Sequence, residues 1–420
     1  MHDLIAELYP ICRSITGDGV RETLSHIARR VPITLHDVPT GTRAFDWEIP
    51  PEWNIRDAWV KDAHGRRVID FRAHNLHVMS YSEPVRTYLT RDELERRVFT
   101  LPDHPQWIPY RTSYYERNWA FCATYDTLAS LPDGDYEVCI DSTLEAGSLT
   151  YGEVLLEGAT EAEVLLSTHI CHPSLANDNL SGIALGVLAA EHLQRAQLRY
   201  SYRILFIPGT IGSIAWLARN EAKVGRVQHG LVLAGVGDPG PYTYKRSRRG
   251  DATIDRAVEH VLATSGNEHV VLDWSPYGYD ERQFCSPGFD LPVGRLSRSP
   301  HGEYPQYHTS ADDLDFVRPE SLAESLSTLL TVLEVLEGDA RYLNRNPKGE
   351  PQLGRRGLYR SVGEAVDRRA VEMALLWVLS LSDGGWSLLD IARRAALSFD
   401  AVHEAATALE QHDLVERLDG

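Results

Sequence analysis

Between residues 151 and 335 of this 420-residue chain, short apolar runs alternate with longer helical patterns, and this rhythm narrows the fold more than any other feature. The runs at 163–167, 202–207 and 230–235 are largely continuous rather than alternating, as in strands buried on both faces. Helical patterns lie at 182–196, 213–220, 253–265 and 319–337. Parallel strands need long crossovers, and helices supply them. The expected fold is α/β, a mostly parallel sheet sandwiched by helices.

The first run leads into Ser167-Thr168-His169-Ile170-Cys171-His172-Pro173-Ser174-Leu175-Ala176-Asn177-Asp178-Asn179-Leu180-Ser181-Gly182. Two imidazoles, a thiol and a carboxylate thus gather at the C-terminal end of a buried strand, the edge where ligands bind in open α/β sheets. Neutral imidazole and carboxylate suit zinc and related metals. His169 and Asp178 are candidate ligands, and His172 and the Cys171 thiolate are further ones. On the alternative reading Asp178 caps the next helix and His169 is a satisfied core histidine.

Three other constellations could join them. His308, in Tyr307-His308-Thr309-Ser310-Ala311-Asp312-Asp313, would be a third ligand and leave positions open for water or substrate, with Asp312 or Asp313 orienting the imidazole. In Gly278-Tyr279-Asp280-Glu281-Arg282 two adjacent carboxylates could hold a substrate amine or move protons. Glu281 is the catalytic candidate there, against a solvated turn. In Gly237-Asp238-Pro239-Gly240, Asp238 is either a fourth metal ligand or a turn former before proline.

The flanks differ in character. Residues 51–150 are rich in aromatics and turn residues, with strand-like segments at 68–71 and 136–140, and are expected to form an inserted β-rich domain. Their aromatics suit its core, or a sugar-stacking surface. Residues 1–50 and 151–340 would make the α/β domain. The Asn/Pro/Gly-rich stretch 340–365 reads as a linker, and 366–420, three helices and a strand, as a winged helix. Its third helix is acidic, which argues against nucleic acid as a partner and for a protein–protein or domain-packing role.

A formal net charge of -18 points the same way and also argues against anionic membranes. The run Lys245-Arg246-Ser247-Arg248-Arg249 is a local exception, a solvated loop or an anion-binding patch. Five scattered cysteines without a CxxC pair suggest reduced thiols and a cytoplasmic protein. No signal peptide or membrane span is expected. A small-molecule or peptide-like substrate is the expected partner, and homo-oligomerisation is left open.

The order His169, Asp178-Asn179-Leu180-Ser181-Gly182, Gly209-Thr210-Ile211-Gly212-Ser213, Tyr307-His308-Thr309-Ser310-Ala311-Asp312 resembles the co-catalytic zinc aminopeptidase superfamily. That resemblance implies one or two zinc ions, with Asp178 bridging and His169 and His308 on either side. The stretches Ile108-Pro109-Tyr110-Arg111-Thr112-Ser113-Tyr114-Tyr115 and Gly147-Ser148-Leu149-Thr150-Tyr151-Gly152-Glu153 look typical of bacterial aminopeptidase-like proteins with an inserted small domain and a C-terminal winged helix. That group is often linked to surface-polysaccharide or specialised-metabolite biosynthesis. The resemblance implies an amide hydrolase in a biosynthetic pathway; acyl transfer or cyclisation on the same scaffold, or a non-catalytic binding role, are the alternatives.

The chain departs from the superfamily pattern where paired glutamates should precede Gly-x-x-Gly-Ser: Phe206-Ile207-Pro208-Gly209 carries no carboxylate. The acidic ligand expected near Ala234 is also missing, and Cys171 replaces an aspartate. Glu281, Glu303, Glu145 and Glu153 are the candidate replacements.

Overall fold

A single eight-stranded sheet organises the larger part of the chain. Its strands in chain order are β1 (Thr34–Pro39), β2 (Ser148–Leu156), β3 (Glu163–His169), β4 (Ser201–Ile207), β5 (Val227–Leu233), β6 (Tyr242–Lys245), β7 (His269–Leu272) and β8 (Val293–Ser297). The computed structural model describes residues 1–358 and 365–418, apart from the side chains of 365–368. Across the sheet the order is β1-β2-β4-β3-β5-β8-β6-β7. The four central strands β4, β3, β5 and β8 run parallel, while β1/β2, β2/β4 and β6/β8 pair antiparallel. This is the expected α/β fold.

Every residue of β3 and of β4 is buried, which accounts for their continuous apolar character. The exception inside β4 is Arg203, whose guanidinium donates to both oxygens of Glu163 at 2.7 Å and to Glu153. From β3 the chain steps to β4 on one side and then to β5 on the other. The C-terminal ends of β3 and β5 therefore form a topological switch point, where such sheets open a crevice. His169 is the last residue of β3.

Within 51–150 a second, four-stranded antiparallel sheet forms from Arg67–Asp70, Glu52–Lys61, Asp135–Glu145 and Val85–Thr90. Its core includes Ala58, Val60, Tyr136, Val138 and Ile140. Trp53, Tyr81, Tyr110 and Phe121 are buried, so much of the aromatic content of this stretch goes into packing.

The chain divides into two compact units, residues 1–250 with 270–326, and 251–269 with 327–420. In the second, helices Ala365–Leu381, Leu388–Ala395 and Phe399–Gln411 accompany a three-stranded sheet. Its central strand is Arg341–Asn344, between Asp383–Ser387 and Val415–Leu418. The stretch read as a linker thus begins with a strand: Tyr342 is buried there, and the Asn/Pro/Gly composition is concentrated beyond it, from Asn346 onward. Residues 359–364 of that stretch lie outside the described residues. Ser387 caps its helix by accepting from the Asp390 amide in a capping box. Among the described residues no helix is long and apolar enough to cross a membrane.

Candidate metal centre

Asp178 sits among three imidazoles. His169 Nε2 is 2.8 Å from Asp178 Oδ1, His308 Nε2 is 3.0 Å from Oδ2, and His172 Nε2 is 3.9 Å from Oδ2. Tyr279 donates its hydroxyl to Oδ1 at 3.2 Å, and its ring stacks on His169. Burial alone would raise the Asp178 pKa, but His172, His169 and His308 outweigh it and hold the group well below the usual carboxylate range. Burial lowers His172 to about 3, against the pull of Asp178, so its ring is neutral, the form in which imidazole binds metals.

One detail tests whether these residues suit a cation. Asp178 Oδ2 and His308 Nε2 are both buried, yet neither makes a directed hydrogen bond despite their 3.0 Å separation. Leaving a buried polar group unpaired costs about 1–3 kcal/mol. A cation facing both atoms would satisfy them together, so the donor set fits a divalent metal of the zinc type. Among the described residues, His169, His172 and Asp178 have ligand atoms mutually within 4.8 Å.

The surrounding chain fixes this geometry from several directions. Asp312 accepts the backbone N–H groups of Asn177 at 2.6 Å and Asp178 at 2.9 Å, so it orients the Asp178 loop and not the His308 ring. Asn179 donates to Thr168 Oγ1 and to the Leu233 carbonyl. A Cβ at Gly182 would lie 2.5 Å from that same carbonyl oxygen, which is why the motif ends in glycine. Arg13, buried near the N-terminus, donates to the carbonyls of His172 at 2.8 Å and Leu8 at 2.7 Å.

His308 has φ of 56°, a left-handed conformation that costs a non-glycine residue about 1–2 kcal/mol. The segment 108–110 holds it there. Tyr110 N–H donates to the His308 carbonyl at 2.7 Å, and Ser310 exchanges two hydrogen bonds with Ile108. The Tyr110 ring meets both His172 and His308 edge-on.

The other sequence candidates have different partners. Asp238 Oδ1 accepts from Ser299 and from the Gly240 amide, and Oδ2 accepts from Asn177. It anchors the turn and Asn177. Cys171 is buried, donates to the Gly209 carbonyl at 3.6 Å, and is pushed up to about 12 by burial, so its thiol is not poised as a thiolate ligand. Glu153 is engaged by Arg203 and Trp216. Glu281 is fully buried with its Oε1 3.1 Å from Lys245 Nζ and 3.7 Å from Arg295 Nη1.

Asp280, one residue earlier, lies against Gly209, at the end of the segment that carries no carboxylate. An ideal Cβ on Gly209 would lie 3.2 Å from His169 Cβ and 3.4 Å from Asp280 Oδ2. Asp280 Oδ1 accepts from Ser213 at 2.8 Å, while Oδ2 is buried without a hydrogen-bond partner. Burial raises its pKa to about 6, against the opposing pull of His169.

A family model described as DUF4910, a domain of unknown function, matches residues 2–339. The chain belongs to that family. In this DUF4910 chain a winged helix-turn-helix model matches residues 340–417. A Clostridium acetobutylicum protein, provisionally named as a polysaccharide biosynthesis protein with an aminopeptidase-like domain, is 51% identical over 416 residues, covering 99% of this chain and 96% of its own. A crystal structure from Clostridium acetobutylicum, provisionally called a peptidase, superposes with a TM-score of 0.95 at 50% identity, covering 99% of this chain and 96% of that one. A zinc aminopeptidase from Bacillus subtilis matches with a TM-score of 0.58 at 12% identity over 80% of this chain and 93% of its own, which shows the shared fold. The DUF4910 fold is therefore aminopeptidase-like.

From the sequence of this DUF4910 chain, Glu281 is preferred to the adjacent Asp280, and Tyr279 and Arg13 carry no signal. The Asp280-Glu281 pair was itself a signal, but the turn before the four-residue helix Glu281–Phe284 has no periodicity that says which carboxylate faces His169.

Proposed function

We propose that this protein is a metal-dependent hydrolase of amide bonds, with His169, Asp178 and His308 as metal ligands and His172 in the place first given to Asp238. The observation that carries the reading is the Asp178 carboxylate, buried among three imidazoles with Oδ2 and His308 Nε2 turned toward each other unbonded. Zinc bound there would polarise a carbonyl and lower the pKa of a water.

The chain's own residues would supply the rest. Asp280 replaces Glu281 as the proposed general base, because its free Oδ2 lies beside His169 and its pKa of about 6 suits proton transfer near neutrality. Glu281 is instead the counter-charge of Lys245 and Arg295. Tyr279, held protonated by burial, steadies Asp178 through its hydroxyl. The provisional name of the Clostridium acetobutylicum relative supports a biosynthetic setting.

The test is a hydrolysis screen of aminoacyl anilides and acylated amino sugars with zinc-loaded full-length protein and its Asp178→Asn variant. The reading expects amide cleavage by the wild type, reduced at least ~100-fold in the variant, on the scale of losing a main catalytic group. Absence of cleavage across the panel, or equal cleavage by both proteins, would refute it.

A further inference from the structure

Lys245 and Arg295 face each other across the antiparallel pair β6/β8. Like charges directly opposite in a sheet repel, and here both side chains are buried, with only 2% of each residue exposed. A single carboxylate lies between them. Both cations approach the same oxygen, Glu281 Oε1, at 3.1 and 3.7 Å. Two cations and one carboxylate leave one buried positive charge without a counter-charge, with Lys245 Nζ otherwise donating only to the Tyr277 carbonyl at 2.7 Å and lying over the Trp274 ring. Asp178 does not supply the missing charge, since it is taken up by the imidazoles and Tyr279. Asp273 is engaged by Arg246, so the basic run divides: Arg246, Arg248 and Arg249 meet surface carboxylates, and Lys245 alone turns inward.

Two donors in this cluster are idle, and so is one acceptor, Glu281 Oε2. Arg295 donates from Nη1 to His301 Nδ1 at 2.9 Å. A guanidinium has only donors, so Nδ1 accepts and the imidazole N–H sits on Nε2. That His301 Nε2 and Arg295 Nε are both buried without a hydrogen-bond partner. The cluster also adjoins the metal centre: the Tyr279 ring lies between His169 at 4.8 Å and the Arg295 guanidinium at 5.8 Å, with His301 packed on it at 4.6 Å. A glycine at 278 is required for this arrangement, because a Cβ there would lie 2.0 Å from Glu281 Oε1.

We propose that Arg295, His301 and Lys245 form a subsite for a substrate carboxylate, next to the His169/Asp178/His308 centre. A monoanion matches the single surplus charge, and a planar carboxylate can accept from the idle Arg295 Nε–H with charge assistance, leaving the His301 N–H for a second polar group of the same substrate. The substrate class is then an amide carrying a free carboxylate a short chain away from the bond that is cut. This rests on the hydrolase reading for which bond is cut, though not for the binding itself.

The experiment is titration calorimetry on full-length protein with glutaric acid monoanilide, its neutral methyl ester and phenyl phosphate. The acid should bind roughly tenfold or more tightly than the ester, as expected for charge-assisted hydrogen bonds, and more tightly than phenyl phosphate. Arg295→Met and Lys245→Met should erase that preference. Arg295→Met leaves the Lys245–Glu281 pair balanced, so it is the variant expected to fold; the acid–ester comparison on wild type decides the matter even without it. Equal binding of acid and ester, a preference for the phosphate, or a preference retained by Arg295→Met overturns the subsite. A protein that prefers the acid but cleaves no amide keeps the subsite and loses the hydrolase reading; one that cleaves amides with no such preference does the reverse.

Discussion

Replacing Asp280 by asparagine should slow the enzyme and stabilise the metal-free protein at once. The Asp280 pKa is raised from 3.8 to about 6 by burial. A raised folded-state pKa means that the folded protein holds this proton more tightly than the unfolded chain. Ionisation therefore begins to cost stability above the unfolded value, and the full cost is present above about 6. The shift corresponds to about 3 kcal/mol at 1.36 kcal/mol per unit. Asparagine keeps an acceptor for Ser213 and carries no charge, so Asp280→Asn should recover a cost of this order at alkaline pH and none below the unfolded pKa. The same change removes the proposed base, with an expected loss of about 10²–10⁴ in kcat/KM. In the zinc-loaded enzyme the cation pulls the Asp280 pKa down, so the wild-type acid limb should fall at or below about 6 and vanish in the variant. Denaturant unfolding of metal-free protein across pH, with pH–rate profiles of the loaded enzyme, measures both effects. A loss under tenfold with normal zinc content, or a stability difference independent of pH, would refute the assignment.

Two further substitutions separate neighbouring roles. Glu281→Gln leaves Lys245 and Arg295 buried without their shared carboxylate and should cost about 3–5 kcal/mol in unfolding measurements, while zinc content stays normal. A stable variant with lost turnover would return the catalytic role to Glu281. Gly209→Glu, which restores a carboxylate where the zinc aminopeptidase pattern has one, should lower kcat/KM tenfold or more, roughly, because its Cβ crowds His169 and its charge faces Asp280. A gain in hydrolysis would show that the native site lacks a base.

The strands and the ligand loop were legible because burial on both faces leaves an unbroken apolar run and because His169 and Asp178 lie within ten residues of each other at its end. The helix 253–265 was legible to the residue, since its apolar spacing ends at Gly266 in a left-handed C-cap. What escaped depended on side-chain direction in short or irregular segments. Asp280 and Glu281 are equivalent in sequence, yet one faces Gly209 and the other Lys245. Asp238 in Gly-Asp-Pro-Gly had two readings of equal weight, and the hydrogen bonds it accepts from Gly240, Ser299 and Asn177 favour the structural one. Lys245 looked like the start of a solvated basic run, but it closes β6 and turns into the core. The strand Arg341–Asn344 was hidden by the glycines and prolines that come directly after it.

The central claim is a metal held by His169, Asp178 and His308, and the direct measurement is zinc bound per chain after metal loading and dialysis. The wild type should retain at least one ion. His308→Ala should bind more than ~100-fold more weakly, beyond what loss of an outer-shell partner causes, and Asp178→Ala should retain none. Wild-type protein that keeps no stoichiometric metal under replete conditions, or variants that keep as much as the wild type, would contradict the account.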